Sequence, residues 1–565
     1  MSSASTALEA LARQLPGAQA GVTLVGDEIL VDGQPCINVP GKRSDWMRHE
    51  APTVWPNTPH GEPRETLLYG IVKDAADYQG VKPLDGTLRA ALEQDLPGES
   101  GEQRQALAAA MTAKFWTTAA GRPRAGGQVR RYLMPLHSRL PIAFQQEKAE
   151  GGKTAFGYKM FRGTVLPFLL SDPAGGTDEA LLDRFLKVFV KDTDLTRLDR
   201  EVLEIAARLA PDTPGPDVGT LLSKSGKVLR RIAEEGGALC QPSLARFRND
   251  LDQVLGLDLP RRDLINQLTV LLALHLSVRL YRSGMVLSAQ LDRCISLFPG
   301  GETADSESSA CAAGCAGDLL RCDAAGRMQF RTGSGSYRPV KLSDPCVSSY
   351  REMTSRYLLP LPVTITCVNF IIDATRAAGG VEIPSMDLTA LYAALIDNSR
   401  LRAQIDGVAR LLAICHLYQL RDAAVPELHS LDQPQLPGLY LLRAALLEGR
   451  RSTMRRESRD VVNQLVKEVR NGRMIASNGP AATFFELDED MLYLLVRLVC
   501  HGELVPFSRF IKGLAAYGLA PQSSAEEQLL QQALERLGML QRYSDASESA
   551  YVHHTETDIA GGETS

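Results

Sequence analysis

One stretch of this sequence, residues 103–171, combines basic, aromatic and glycine residues in a pattern that suits a chain of phosphates. It holds eleven Lys and Arg residues against two acids, Glu147 and Glu150, for a net charge of +9. The guanidinium groups of arginines and backbone amides bind phosphate oxygens, and aromatic rings stack on bases. A basic stripe of this kind predicts a nucleic-acid-binding segment. Its expected contact residues are Trp116, Arg122, Arg124, Arg130, Arg131, Tyr132, Arg139, Lys153, Lys159 and Arg162.

The charge of this segment contrasts with the charge of the rest of the chain. The whole chain has a net charge of −5, so the residues outside 103–171 have a net charge of −14. Folded domains usually intersperse both signs on their surfaces, and the separation therefore favours a polyanionic ligand. Two alternatives stay open: acids elsewhere in the same chain neutralise the segment, or an acidic partner protein does.

A second basic run surrounds Arg451, Arg455 and Arg459. These three residues recur every four positions, so a helix would place them on one face. The run is either a second phosphate track or a solvent-exposed helix between domains, and the sequence favours neither.

Four cysteines lie close together in a Ser- and Gly-rich stretch, 300–350. Four thiolates can hold a structural zinc ion, which would stabilise a small insertion that lacks a core. However, the spacing does not give the paired Cys-x-x-Cys of a zinc ribbon, and a mobile loop with free thiols is the favoured interpretation. The candidate ligands are Cys311, Cys315, Cys322 and Cys346.

Signatures of common enzymes are not found in the sequence. It contains no Walker-type phosphate loop, no Gly-x-Ser-x-Gly and no His-Glu-x-x-His. His275 lies in an apolar run, where a histidine is more often a hydrogen-bonded core residue than a catalyst. A non-enzymatic role is therefore expected, with a divergent metal-dependent nuclease or other effector as the alternative.

Composition and periodicity predict a mainly α, multi-domain protein. The 565 residues suffice for three or four domains, and 44% hydrophobic with 23% charged residues is typical of a folded soluble protein. No apolar run reaches the roughly 18 residues of a membrane span. Met1–Ala20 does not resemble a secretory signal, and the ten cysteines are scattered, so a cytoplasmic location with reduced thiols is expected.

The elements fall into seven expected regions. A β-hairpin is predicted within Gly21–Asn38 from its turn residues, and a helix from Glu102 to Trp116. The regions are a mixed N-terminal part (1–100), the basic aromatic-rich segment (101–175), a helical domain (176–299), the Cys/Gly/Ser-rich insertion (300–350), a second helical domain with the basic helix (351–475), a winged-helix-like domain (485–554) and a disordered tail (555–565).

The winged-helix prediction rests on three helices followed by a hairpin. The helices are expected at Met491–Cys500, Pro506–Tyr517 and Ser524–Leu537, and the hairpin strands at Met539–Tyr543 and Ala550–His553. From Phe485 to Ser565 there are five basic and 13 acidic residues. A helix that enters the DNA major groove is normally basic, so this domain is expected to dock a protein instead.

Two stretches resemble a known family. They are Pro260-Arg261-Arg262 followed by LLALHLSVRLYR (Leu271–Arg282), and the C-terminal LERLGMLQRYSDASESAYV (Leu534–Val552). Together they resemble helical accessory subunits of bacterial anti-phage defence operons, such as the G subunit of phosphorothioate-dependent restriction systems. The resemblance implies a cytoplasmic protein that works on DNA with an ATPase or helicase partner, and it transfers no catalytic residues. The expected function is a non-enzymatic, DNA-engaging structural subunit, with a nucleic-acid-free interaction scaffold as an alternative.

Overall fold

The computed structural model describes residues 8–38, 162–298, 360–448 and 475–554, with gaps inside the last three ranges. It also describes short pieces between 68 and 138 and at 331–332. Within these residues the predicted mainly α class is confirmed. The helices are α1 (Arg162–Leu169), α2 (Glu179–Lys187), α3 (Val218–Glu234), α4 (Gln241–Leu255), α5 (Arg261–Ser296), α6 (Leu361–Gly379), α7 (Leu388–Ile396), α8 (Ser399–Arg421), α9 (Glu489–Cys500), α10 (Phe507–Ala515) and α11 (Ser524–Arg536). A further helical stretch covers 438–448, and a 3-10 helix covers Pro16–Ala20.

The long helix α5 forms the centre of the core. It begins after Pro260, as the sequence predicts, and every residue from Gln267 to Met285 is buried. A helix whose central part is buried on all sides needs neighbours on all sides, and α4, α6, α7 and α9 supply them. By length and composition α5 is able to cross a membrane, but 89% of its most apolar window is buried inside the protein. It is therefore packed as a core helix.

The N-terminal β element is a three-stranded antiparallel sheet. Strands β1 (Val22–Val25), β2 (Glu28–Val31) and β3 (Gln34–Asn38) follow one another through two tight turns. Gly26 and Gly33 occupy these turns with φ of +61° and +78°, a conformation that favours glycine. The predicted hairpin is present, and a third strand extends it. The sheet packs against the 3-10 helix, α6 and α8.

Two further small sheets join distant parts of the chain. Strand β4 (Trp116–Thr118) pairs antiparallel with β5 (Arg131–Leu133). Strand β6 (Arg331–Thr332) pairs parallel with β8 (Thr483–Leu487), which also pairs antiparallel with β7 (Ile475–Ser477). The predicted helix from Glu102 to Trp116 is wrong at its end, because Trp116 begins a strand. An aromatic residue followed by two threonines has high β-propensity, and the pairing with β5 exploits it.

The C-terminal elements lie close to their predicted bounds. Helices α9, α10 and α11 and strands β10 (Leu540–Arg542) and β11 (Ala550–Val552) all appear in the expected order. A short strand, β9 (Val505–Pro506), precedes α10 and completes a sheet with the order β10-β11-β9. Gly518 and Gly538 adopt φ of +75° and +71° after α10 and α11. Met539 N donates to Leu534 O at 2.8 Å, the bond expected of a glycine-terminated helix.

The 3-10 helix and α8 touch through their backbones at two glycines, and this contact gives a testable prediction. A Cβ at Gly407 would lie 2.6 Å from the Cα of Gly17. We expect Gly407→Ala to lower the free energy of unfolding by about 1–3 kcal/mol, because the backbone must move apart. Differential scanning calorimetry measures the change.

Gly226 in α3 provides the matched control. A Cβ at Gly226 meets no atom within 4 Å. Gly226→Ala should therefore raise stability by up to about 1 kcal/mol through helix propensity alone. A melting temperature of Gly407→Ala equal to or above that of the wild type would contradict the close contact.

Candidate functional site

The structure places only part of the predicted nucleic-acid-binding set. Trp116 begins β4, Arg131 and Tyr132 lie in β5, and Arg162 is the first residue of α1. The other members lie outside the described residues: Arg122, Arg124, Arg130, Arg139, Lys153 and Lys159. So do the second basic track, Arg451, Arg455 and Arg459, and the cysteines Cys311, Cys315, Cys322 and Cys346.

The pairing of β4 with β5 fixes where the connection between them begins and ends. Trp116 is opposite Leu133, Thr117 is opposite Tyr132, and Thr118 is opposite Arg131. The intervening sequence, 119–130, contains three arginines and no acid. Both ends of this arginine-rich connection therefore meet at one place, the paired residues Thr118 and Arg131.

A second cluster of charged groups is buried where the helical body meets the C-terminal elements. Asp250 of α4 lies at its centre, with 3% of its side chain exposed. His275 Nε2 of α5 lies 2.9 Å from Asp250 Oδ2, and the Tyr517 hydroxyl donates to the same oxygen at 2.8 Å. The predicted status of His275 as a hydrogen-bonded core residue is confirmed. Phe247 and Tyr517 pack edge-on against its ring.

Arg246 closes this cluster from the solvent side. Its Nε lies 3.2 Å from Asp250 Oδ1 and donates to the Tyr517 hydroxyl at 3.0 Å. Burial raises the pKa of the Tyr517 hydroxyl well above its usual value of 10.0, and the negative charge of Asp250 adds to this rise. Tyr517 is therefore a neutral donor to Asp250 throughout the physiological pH range.

Two more arginines extend the cluster along α5. Arg279 donates to Ser243 Oγ at 2.9 Å and to Leu239 O at 2.6 Å, and its guanidinium lies 4.9 Å from the ring centroid of Phe168. Arg282 donates to Ala516 O at 2.5 Å. Burial lowers the pKa of Arg279 to about 10, an effect that nearby Cys240 partly opposes.

Directional hydrogen bonds thus attach the C-terminal elements to the body at several points. Besides the bonds of Tyr517 and Ala516, Gln253 Nε2 of α4 donates to Arg497 O of α9 at 2.7 Å. Arg497 Nε in turn donates to His554 Nε2 at 2.7 Å, just beyond β11. The cluster therefore positions one part of the protein on another, and its buried carboxylate and imidazole lie within hydrogen-bonding distance of each other.

Sequence reasoning identified one member of this cluster and missed the others. Asp250 and Tyr517 are 267 positions apart, and no local spacing connects them. A usable signal was present on α5, because His275, Arg279 and Arg282 recur at helical spacing within an apolar run. Polar residues on one face of an otherwise apolar helix indicate a buried polar contact there.

The cysteines that the structure describes are free thiols, and burial keeps four of them protonated at neutral pH. Burial raises the pKa of Cys294, Cys367, Cys415 and Cys500 to about 12. Metal ligation requires the thiolate form, so these thiols are poor ligands at neutral pH. Among the described residues no group of three or more His, Cys, Asp or Glu side chains is placed to hold a metal ion.

Comparisons with known proteins find no family model that matches this chain and no curated protein that matches it.

The central hydrogen bond of the cluster gives a second prediction. Tyr517→Phe removes the hydroxyl that donates to Asp250 and accepts from Arg246, and it leaves the Asp250 carboxylate buried with one hydrogen bond fewer. We expect a loss of about 1–3 kcal/mol in the free energy of unfolding. The control is Tyr440→Phe at a residue that is 49% exposed, where the change should stay within about 0.5 kcal/mol.

The same variant has a pH signature. The pKa of Tyr517 is raised in the folded state. The neutral Tyr517 hydroxyl therefore makes its full contribution to the free energy of unfolding below pH 10, and this contribution is lost as the pH rises through the folded-state pKa. Wild-type stability should therefore fall more steeply above pH 10 than that of Tyr517→Phe. Thermal melts between pH 8 and 11 measure the two slopes, and parallel curves would contradict this role.

Proposed function

We propose that this protein is a non-enzymatic, DNA-engaging structural subunit of a bacterial multi-protein complex, of the anti-phage defence or DNA-processing type. One observation carries the proposal. The β4–β5 pair joins the two ends of the connection that contains Arg122, Arg124 and Arg130, inside a segment with a net charge of +9. Arginines in one short connection can reach neighbouring phosphates of a single duplex.

The energetic basis of this engagement is electrostatic and independent of base sequence. Each phosphate that a Lys or Arg neutralises releases condensed counterions, and this release favours binding. Phosphate contacts position a protein on DNA without reading the bases. A structural subunit needs this kind of contact, because a partner supplies the enzymatic step.

We further infer that 485–554 is a winged-helix-like domain that docks a protein partner. The order helix, strand, helix, helix, strand, strand and the sheet order β10-β11-β9 support the winged-helix assignment. The surroundings of α11, the helix equivalent to a recognition helix, support protein docking over groove binding. Arg536 of α11 lies 3.4 Å from Glu489, and Arg542 of β10 lies 2.6 Å from Glu535. Strand β6 also packs against α11.

The expected partner follows from charge and from the family resemblance. The C-terminal region from Phe485 to Ser565 has a net charge of −8, which complements a basic protein surface. The resemblance to accessory subunits of defence operons favours an ATPase or helicase in the cytoplasm as that partner.

The DNA proposal predicts a change in salt dependence. Arg122, Arg124, Arg130 and Arg131 are replaced together by alanine, and retention of double-stranded DNA is measured against salt concentration. The slope of log affinity against log salt should shrink by about 0.9 for each phosphate contact that is lost.

The control replaces four exposed basic residues elsewhere, Arg13, Lys191, Lys227 and Arg230, and removes the same total charge. It should leave the slope near the wild-type value, because these residues are distant in sequence from the hairpin. Equal slopes in the wild type and the hairpin variant would overturn the DNA assignment and favour a scaffold without nucleic acid. Cleavage of DNA by the wild-type protein with Mg²⁺ or Mn²⁺ would favour the nuclease alternative.

The docking proposal predicts an effect of charge reversal. Glu503 and Glu527 lie on the C-terminal domain, one exposed and one half-buried. Glu503→Lys combined with Glu527→Lys should reduce co-purification with the products of neighbouring genes by at least about tenfold, since like charges would then face each other. Quantitative mass spectrometry of the purified complex gives the ratio.

A matched reversal at Glu204 and Asp258 tests whether position matters. Both residues are exposed on the helical body, and the change in total charge is the same. Co-purification should stay near the wild-type amount in this control. An equal loss in both variants would show a general effect of net charge and contradict docking through the C-terminal domain.

A further inference from the structure

The sheet of β10, β11 and β9 has one buried face and one face towards solvent. Val505 and Val552, which are paired with each other, are only 4% and 0% exposed. Neighbouring residues of a strand point to opposite faces, so the adjacent pair, Pro506 and Tyr551, lies on the outer face. Pro506 is exposed and Tyr551 is half-buried. The outer face is therefore accessible to a ligand.

Apolar and aromatic side chains occupy this outer face. Gln541 is paired with Tyr551. Two positions beyond Gln541 is Tyr543, which is 46% exposed, and two positions before Pro506 is Leu504, which is 45% exposed. The rings of Tyr543 and Tyr551 pack edge to face, with their centroids 5.4 Å apart and their planes at 86°. We call the surface formed by Leu504, Pro506, Tyr543 and Tyr551 the tyrosine face.

The charged residues beside the tyrosine face are mainly acidic. Glu503 is exposed and directly precedes it in the sequence, and the turn 544–549 between β10 and β11 contains two acids and no base. Arg542 is the only Lys or Arg in 540–552, and its guanidinium lies 2.6 Å from the carboxylate of Glu535. A ligand at this face therefore meets aromatic rings and an excess of negative charge.

Two bases that are close in sequence lie on the other side of the sheet. Arg509 and Lys512 belong to α10, which packs against β9 and β11. Because the outer face is exposed, this packing must involve the buried face. The bases of α10 therefore do not form part of the tyrosine face.

We propose that the tyrosine face binds an arginine-containing basic segment of the protein partner. This inference rests on the proposed docking role of 485–554 and names the surface and the chemistry of its ligand. A guanidinium is attracted to the face of an aromatic ring, and neighbouring carboxylates bind its N–H groups. Arginine suits the face better than lysine, because its planar and weakly hydrated group stacks on a ring.

Peptide binding to the full-length protein tests this surface. The probe is a fluorescein-labelled peptide of arginine, glycine and serine, and fluorescence anisotropy gives its affinity. Tyr543→Ala should weaken binding by about 3- to 30-fold, because one ring no longer contacts the guanidinium groups. Tyr543→Phe keeps the ring and should stay within about twofold of the wild type. Equal affinities of the wild type and Tyr543→Ala would overturn the proposal.

Tyr440→Ala is the control variant. Tyr440 is 49% exposed and lies in the helical stretch 438–448, in another part of the chain. This variant should bind the arginine peptide with wild-type affinity. A loss equal to that of Tyr543→Ala would show that the peptide does not recognise the tyrosine face.

A lysine peptide of the same length and charge separates stacking from simple charge attraction in the wild-type protein. It should bind at least about threefold more weakly than the arginine peptide. Equal affinities for the two peptides would contradict recognition by the rings, even if Tyr543→Ala does not fold. Tighter binding of a proline-rich peptide would also overturn the proposal, because it would identify a different ligand for the same face.

Co-purification with the products of neighbouring genes separates this surface from the docking role itself. Tyr543→Ala should reduce it, as the combined Glu503→Lys and Glu527→Lys exchange should. A loss in the glutamate variant alone would leave docking intact and place the partner away from the tyrosine face. No loss in either variant would overturn the docking role as well. A wild-type dimer that Tyr543→Ala converts to a monomer in analytical ultracentrifugation would assign the face to a second copy of the chain and overturn the proposal.

Discussion

The burial of the central part of one helix, residues 267–285 of α5, is the constraint on which the rest of the structure depends. Full burial of a large aliphatic or aromatic side chain contributes about 1.5–3 kcal/mol, so a helix that is buried on every side contributes much of the core. It can only be stable if other elements surround it, and they come from both halves of the chain, α4 before it and α6, α7 and α9 after it. Any polar side chain in this buried part of α5 must then find its partners inside the protein.

This requirement explains the buried charged cluster. His275, Arg279 and Arg282 lie on the enclosed helix, and Asp250, Ser243 and Tyr517 supply some of their surroundings. Buried ion pairs add little net stability, because desolvation offsets the attraction between the charges. Their bonds are directional, however, whereas apolar contacts tolerate sliding. We therefore interpret the cluster as the feature that fixes the position of the C-terminal elements, at a modest net contribution to stability.

The sequence predicts those parts of the fold that local signals determine. Helices α9 to α11 show helical periodicity, glycines follow α10 and α11, and turn-forming residues separate β10 from β11 in the sequence. Each of these signals depends on neighbouring residues alone. Local periodicity places Trp116 at the end of a helix, because it contains no information about the partner strand β5, which lies beyond the connection 119–130. The cluster around Asp250 is not predictable from local sequence either, since only tertiary packing brings Tyr517 to it. The burial of His275, by contrast, is predictable, because its neighbours along the helix are apolar.

Salt in solution limits the distance over which the charges of this chain interact with a ligand. At physiological ionic strength the screening length is about 8 Å, so a ligand responds to the charges near it and not to the net charge of −5. A basic segment can therefore bind a polyanion although the remainder of the chain is acidic. Acidic residues near the C-terminal domain would repel the phosphates of such a ligand at short range. Under the proposed function, opposite charges in separate regions would give DNA and a basic protein partner different places on the same chain.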